Sequence, residues 1–72
     1  MPAKDYRAVL GAAIRDKRRS KGLTQEVLAE KADLHSNYFG RVERGKEDVS
    51  LNALRRIAKA LNVRVRDLAA DI

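Results

Sequence analysis

Apolar residues recur along this chain three and four positions apart, and the breaks in that rhythm fall at residues that start or stop helices. Asp5 is placed to cap a first helix on which Val9, Leu10, Ala13 and Ile14 recur at helical spacing. Gly22 can end it in a left-handed turn, so the helix is predicted from Tyr6 to Lys21. Thr24 is a natural N-cap for the second helix. Gln25 and Glu26 follow in its positive first turn, then Val27, Leu28 and Ala32 on one face, and the helix ends near Ala32. Asp33 and Leu34 make a tight connection to a third pattern, with Phe39 and Val42 on one side and Gly45 closing the end. Ser50 caps a fourth helix, whose Leu51, Leu54, Ile57, Ala58 and Leu61 hold the helical period best. Asn62 is its left-handed stop. Val63 and Val65 lead into a short last helix over residues 65 to 70 with Leu68 and Ala69, and Ile72 lies close behind. Nothing alternates long enough to make a strand, so the predicted fold class is all-α with five helices.

The 72 residues hold no internal repeat and no low-complexity linker, so residues 1 to 72 are read as one domain; the sole proline, Pro2, is expected in a frayed N-terminus. A chain this small supplements its core with disulfides or a metal when it can. Here there is no cysteine and no His/Cys cluster, so no metal or cofactor is expected and helix packing must suffice. No apolar run is long enough to cross a bilayer, and no basic-then-apolar leader is visible, so a cytoplasmic, nucleoid-associated protein with no membrane partner is expected. The net charge of +6 favours a polyanionic partner. Its distribution narrows the picture. Residues 1–23 carry seven basic and two acidic side chains, residues 24–48 four and six, and residues 49–72 five and two. The middle segment is no basic patch, so any nucleic-acid contact there comes from particular side chains and helix ends, while the flanks supply the salt-dependent attraction.

A helix, a three-residue turn and a second helix occupy that middle segment. Two helices crossing steeply need a small residue at their closest approach, which Ala29 supplies, and Leu28, Ala32, Leu34, Phe39 and Val42 fill the wedge between them. The third helix then stands proud, with Ser36, Asn37, Gly40, Arg41 and Arg44 on its outer face and His35 at its start. Asparagine can pair bidentately with adenine and arginine with guanine, while serine is permissive. The residues also have plainer roles: Arg41 and Arg44 as solvated arginines, Asn37 as a helix-start residue, Ser36 as a cap, Tyr38 as partial core. His35 stands alone, without neighbours that would make it a metal ligand or a catalyst.

The run LTQEVLAEKADLHSNYFGRVERG, Leu23 to Gly45, with its flanks LGAAIRDKRRSKG and SLNALRRIAKALNVRVRDL, resembles the phage repressor and Cro-like helix-turn-helix family of the xenobiotic-response-element type. Thr24, Gln25, Leu28, Ala29, Leu34, Phe39, Val42, Glu43 and Gly45 all fall where that family places such residues. The resemblance implies a five-helix lambda-repressor-like fold with its helix-turn-helix core over residues 24 to 45. It implies a non-enzymatic transcriptional regulator that binds a pseudo-palindromic operator in double-stranded DNA as a homodimer, with no small-molecule ligand. The third helix would enter the major groove, with His35, Ser36, Asn37 and Arg41 at base edges. Gln25, Tyr38, Arg44, Lys46, Ser50 and Asn52 would hold phosphates. Arg18 and Glu43 would pair as scaffold, and Leu61, Val65, Leu68, Ala69 and Ile72 would form the dimer surface. A stand-alone domain of this size further resembles the controller proteins of restriction-modification systems and compact phage or plasmid repressors.

Departures from the pattern are specific. Asp33 stands where glycine is usual in the turn, His35 and Arg64 replace the usual hydroxyl caps, and Gly40 interrupts the third helix at a cost of about 1 kcal/mol against alanine. Glu47 and Asp48 occupy the loop after Gly45, where two carboxylates would repel a phosphate backbone. A competing reading keeps the fold but makes it a DNA-binding antitoxin or adaptor that holds a partner protein. Catalysis is disfavoured, because one histidine, no cysteine and scattered carboxylates build no convergent site.

Overall fold

Asp5 opens the first helix with a side-chain cap: its carboxylate accepts the Arg7 N–H at 3.0 Å, and α1 runs Tyr6–Ser20 before Gly22 turns the chain with φ +68°. The structure is a computed structural model that describes residues 5 to 72, and the expectation for Pro2 lies outside them. Four further helices follow: α2 (Gln25–Lys31), α3 (Ser36–Glu43), α4 (Leu51–Leu61) and α5 (Val65–Leu68), with no strand among the described residues. Hydroxyl caps begin α2 and α4, where Thr24 Oγ1 accepts from Val27 N at 3.1 Å and Ser50 Oγ from Ala53 N at 3.1 Å. The two positions without a hydroxyl are capped differently. His35 Nδ1 accepts from Asn37 N at 3.1 Å, and Asp67 reaches back to the Arg64 N–H at 2.9 Å.

Ile14, Leu28, Phe39, Ile57, Leu61 and Leu68 lie at the centre of a single core to which all five helices contribute, and Ala29 and Ala32 are buried in it with them. Four residues assigned to apolar faces are not in it: Val9 and Ala13 of α1 are half-buried outside it, and Val27 and Leu51 are exposed. Val27 is 42% exposed, because a helix of seven residues turns only Leu28, Ala29 and the following Ala32 inward and leaves its neighbour about 100° round the axis. Leu51 is 67% exposed: it sits in the first turn of α4, beyond the main core, beside a shallow hollow lined also by Tyr6, Val49 and Ile72.

The expected dimer surface needs a larger correction. Leu61 and Leu68 are 0% and 1% exposed inside the protomer, because α5 folds back onto α4 and α1 and buries them there. Val65 and Ala69 remain partly exposed, and Ile72 is 57% exposed.

Asp33 and Asn62 take left-handed backbone, both at φ 56°. A β-carbon is strained there, and glycine is not. Asp33→Gly is therefore expected to raise stability by about 0.5–1 kcal/mol. Only a long, exposed contact from Asp33 to Arg56 at 3.7 Å is given up, since Arg56 also bonds the Asp33 carbonyl. A urea titration followed by circular dichroism measures the gain, and a lower midpoint would contradict it.

Candidate nucleic-acid interface

One buried carboxylate fixes how α3 sits. Glu43, at the end of α3, is 2% exposed, and both of its oxygens are occupied. Arg18 of α1 donates through Nε to Oε2 at 2.7 Å and through Nη2 to Oε1 at 3.0 Å, while its Nη1 reaches the Leu23 carbonyl at 2.8 Å. Gln25 of α2 donates its amide to Oε1 at 2.8 Å, and Arg15 of α1 donates to the Glu43 backbone carbonyl at 3.0 Å. The hydrogen bond to Glu43 holds the Arg18 guanidinium above its ordinary pKa against the opposing effect of burial. Among the described residues no buried side-chain polar atom lacks a partner. The resemblance implies the pairing of Arg18 with Glu43 and a bracing contact from Gln25 to a side chain of the third helix, but nothing in the sequence marks the part of Arg15 in the same cluster.

Gly11 explains how α1 comes so close. A β-carbon there would lie 2.4 Å from the Val42 carbonyl oxygen and 2.6 Å from that of Glu43. Only glycine lets α1 pass the end of α3 at this distance. No periodic pattern marks such a position.

Held from behind in this way, α3 turns one face outward. Asn37, Arg41 and Arg44 are exposed and Ser36 is half-buried, while Phe39, Gly40, Val42 and Glu43 face the core. Ser36 begins the helix rather than capping it, since His35, exposed, supplies the cap. Tyr38 is half-buried, and its hydroxyl accepts the Ser50 N–H at 3.4 Å, which ties α3 to the start of α4. Ser50 therefore has both its amide and its hydroxyl engaged within the protein. Gly40 faces Gln25 and Arg44: a β-carbon there would meet the Arg44 Nη1 at 3.2 Å and the Gln25 Oε1 at 3.6 Å. Lys46 and Asn52 are exposed.

The acidic loop turns inward on its own protein. Glu47 Oε2 accepts from Arg41 Nε at 2.9 Å, and Asp48 accepts the Tyr6 hydroxyl at 2.8 Å, which raises the Tyr6 pKa. Among the described residues there is no group of His, Asp or Glu that could hold a metal ion, and no helix long and apolar enough to cross a membrane.

The arrangement is a scaffold that presents one short helix: α1 and α2 both bond to Glu43 of α3, and the opposite face of α3 exposes the polar side chains of Asn37, Arg41 and Arg44. A family model described as a helix-turn-helix domain matches residues 9–71. The chain belongs to this helix-turn-helix family of DNA-binding transcriptional regulators. The family is a non-enzymatic one. This regulator is similar to Control protein C.BamHI of Bacillus amyloliquefaciens, with 43% identity over 89% of this chain and 80% of the relative. It is also similar to Control protein C.SmaI of Serratia marcescens, with 42% identity over 89% of this chain and 76% of that one. Among solved structures, the restriction-modification controller protein C.AhdI from Aeromonas hydrophila superposes with a TM-score of 0.85 at 40% identity, covering 86% of this chain and 94% of its own. The clp gene regulator ClgR from Corynebacterium glutamicum superposes with a TM-score of 0.92 at 36% identity, covering 96% and 73%.

Proposed function

We propose that this regulator acts as a homodimer on a pseudo-palindromic operator, with α3 in the major groove, and controls a restriction-modification system, as its similarity to the restriction-modification controller protein C.AhdI suggests. The observation that carries the reading is the division of α3: one face is fixed through Glu43, and the other exposes Asn37 and Arg41 free of the core. Arg41 reads guanine and Asn37 adenine, with Ser36 and His35 beside them at the helix start. Arg44, Lys46 and Asn52 hold phosphates, joined by Gln25 through the donor it does not spend on Glu43. Tyr38 and Ser50 complete the same edge. Two such helices lie about 34 Å apart on one face of the duplex, one turn of DNA. Val65, Ala69 and Ile72, the parts of the expected surface left outside the core, meet the second copy, and the protein works in the cytoplasm where the DNA is.

Selection of bound duplexes from a random pool tests this reading. An inverted-repeat consensus is expected, with Arg41→Ala relaxing one symmetric base position at a cost of about 1–3 kcal/mol per half-site. Enrichment of no sequence, with only steep salt dependence left, would overturn it. Dimerisation is read separately. Ile72→Asp is expected to shift the sedimentation-equilibrium midpoint to higher protein concentration, and an unchanged midpoint would remove α5 from the interface.

A further inference from the structure

We infer that Glu47 is a positioning and specificity-determining residue, which aims Arg41 at a base edge and so sharpens the preference for the base pair that Arg41 reads. The inference rests on the reading of Arg41 just given and deepens it. Glu47 lies in the loop beyond Gly45 and reaches back to α3, where its Oε2 accepts from Arg41 Nε at 2.9 Å. The atom it takes matters. A guanidinium addresses guanine O6 and N7 through two parallel N–H groups, and engagement at Nε leaves the terminal pair Nη1 and Nη2 available for that fork.

The pair is partly exposed, with side-chain exposures of 46% for Arg41 and 34% for Glu47. Such a pair is worth little to stability, so its effect on how a mobile arginine is aimed counts for more. A long side chain loses rotamer freedom when it is ordered at an interface, and a partner that orders it beforehand reduces that loss on binding. The same carboxylate stands beside the surface that meets DNA, where it repels phosphate. That repulsion acts on every duplex alike and lowers affinity overall, so the preference for one base pair comes from the aim given to Arg41. Asp48, the neighbouring acid, bonds Tyr6 instead and has no hold on Arg41. It is the matched charge control.

The test compares Glu47→Ala, Glu47→Gln and Asp48→Asn on the duplex selected for the native protein, on that duplex with the base pair read by Arg41 replaced, and on a scrambled duplex of equal length. Titrations run at fixed salt, with circular dichroism melting to show that each variant is folded. Glu47→Ala is expected to lower the preference for the Arg41 base pair about two- to fivefold per half-site, and to bind the scrambled duplex more tightly. Glu47→Gln keeps an acceptor for Nε and should restore most of the base preference, while still binding the scrambled duplex more tightly than native. Asp48→Asn is expected to leave the base preference unchanged. If Glu47→Ala tightens all three duplexes by one common factor, as Asp48→Asn would, the carboxylate is only a charge and the inference fails. Arg41→Ala separates the two levels. If it relaxes that base position while Glu47→Ala does not, the Glu47 inference alone falls. If Arg41→Ala relaxes no position, the reading of Arg41 falls and the role of Glu47 goes with it.

Discussion

Glu43→Ala is expected to cost this protein about 3–5 kcal/mol of stability at 25 °C. The substitution strands the Arg18 guanidinium, in a residue that is 8% exposed, with the Leu23 carbonyl as its remaining partner at 2.8 Å. It also removes the acceptor of the Gln25 amide. Breaking a buried pair from one side typically costs about 3–5 kcal/mol, because the surviving charge stays desolvated. A chain of this length has only about 4–11 kcal/mol in total. The loss is therefore most of the margin at the lower end of that range. Urea denaturation followed at 222 nm measures it, and a loss under about 1 kcal/mol would mean that water reaches Arg18 freely. Two companions locate the cause. Glu43→Gln keeps one acceptor without the charge and should fall between native and alanine. Arg18→Met with Glu43→Leu removes both charges, and replacing a buried pair by apolar groups of similar volume is often neutral or stabilising. If the double variant folds but binds its operator weakly, the cluster serves orientation of α3 more than stability.

The helices were legible because their signals are local. Period places Leu10, Ile14, Leu54, Ile57 and Ala58 in the core, and side chains at Asp5, Thr24 and Ser50 mark the helix starts within one turn. Positive φ at Gly22, Asp33, Gly45 and Asn62 falls at the turns that punctuation marked. What failed was whatever depends on which helix lies opposite. Val27 and Leu51 satisfy the spacing, yet nothing covers them, because a short helix and a first turn present more apolar positions than their neighbours can bury. Leu61 and Leu68 are the reverse case. An apolar stripe at the end of a chain looks the same whether it meets a second copy or folds home, and only the return of α5 onto α4 and α1 decides for the core. In the candidate site, the exposed face of α3 could be read from spacing, except that Gly40, expected on it, is buried against Gln25 and Arg44, and the partner of Arg18 could be read from resemblance. The partner of Arg41 could not, because Glu47 reaches it through a loop whose path no periodicity describes. The sequence showed those two carboxylates as an anomaly, and the structure shows each tied to a side chain of its own protein.

Gly11→Ala is the second large loss expected, at the upper end of about 1–3 kcal/mol, although alanine is the better helix former by about 1 kcal/mol. The added carbon would stand 2.4 Å from one backbone carbonyl oxygen and 2.6 Å from the next, and neither is the far end of a flexible side chain that can swing aside. Relief requires α1 to move away from the end of α3. That movement draws Arg18 and Arg15 off Glu43, so a steric fault becomes an electrostatic one. Such coupling predicts non-additivity: in a Glu43→Gln background, Gly11→Ala should cost less than in the native protein, by 0.5 kcal/mol or more, the range seen for residues in contact. Chemical denaturation of the four proteins in that cycle measures the difference. Equal costs in both backgrounds would mean that α1 tolerates the methyl group without leaving Glu43. A sub-additive result would show that the close helix approach and the buried ion cluster are one device, in which a missing β-carbon lets a charged pair hold α3 in place.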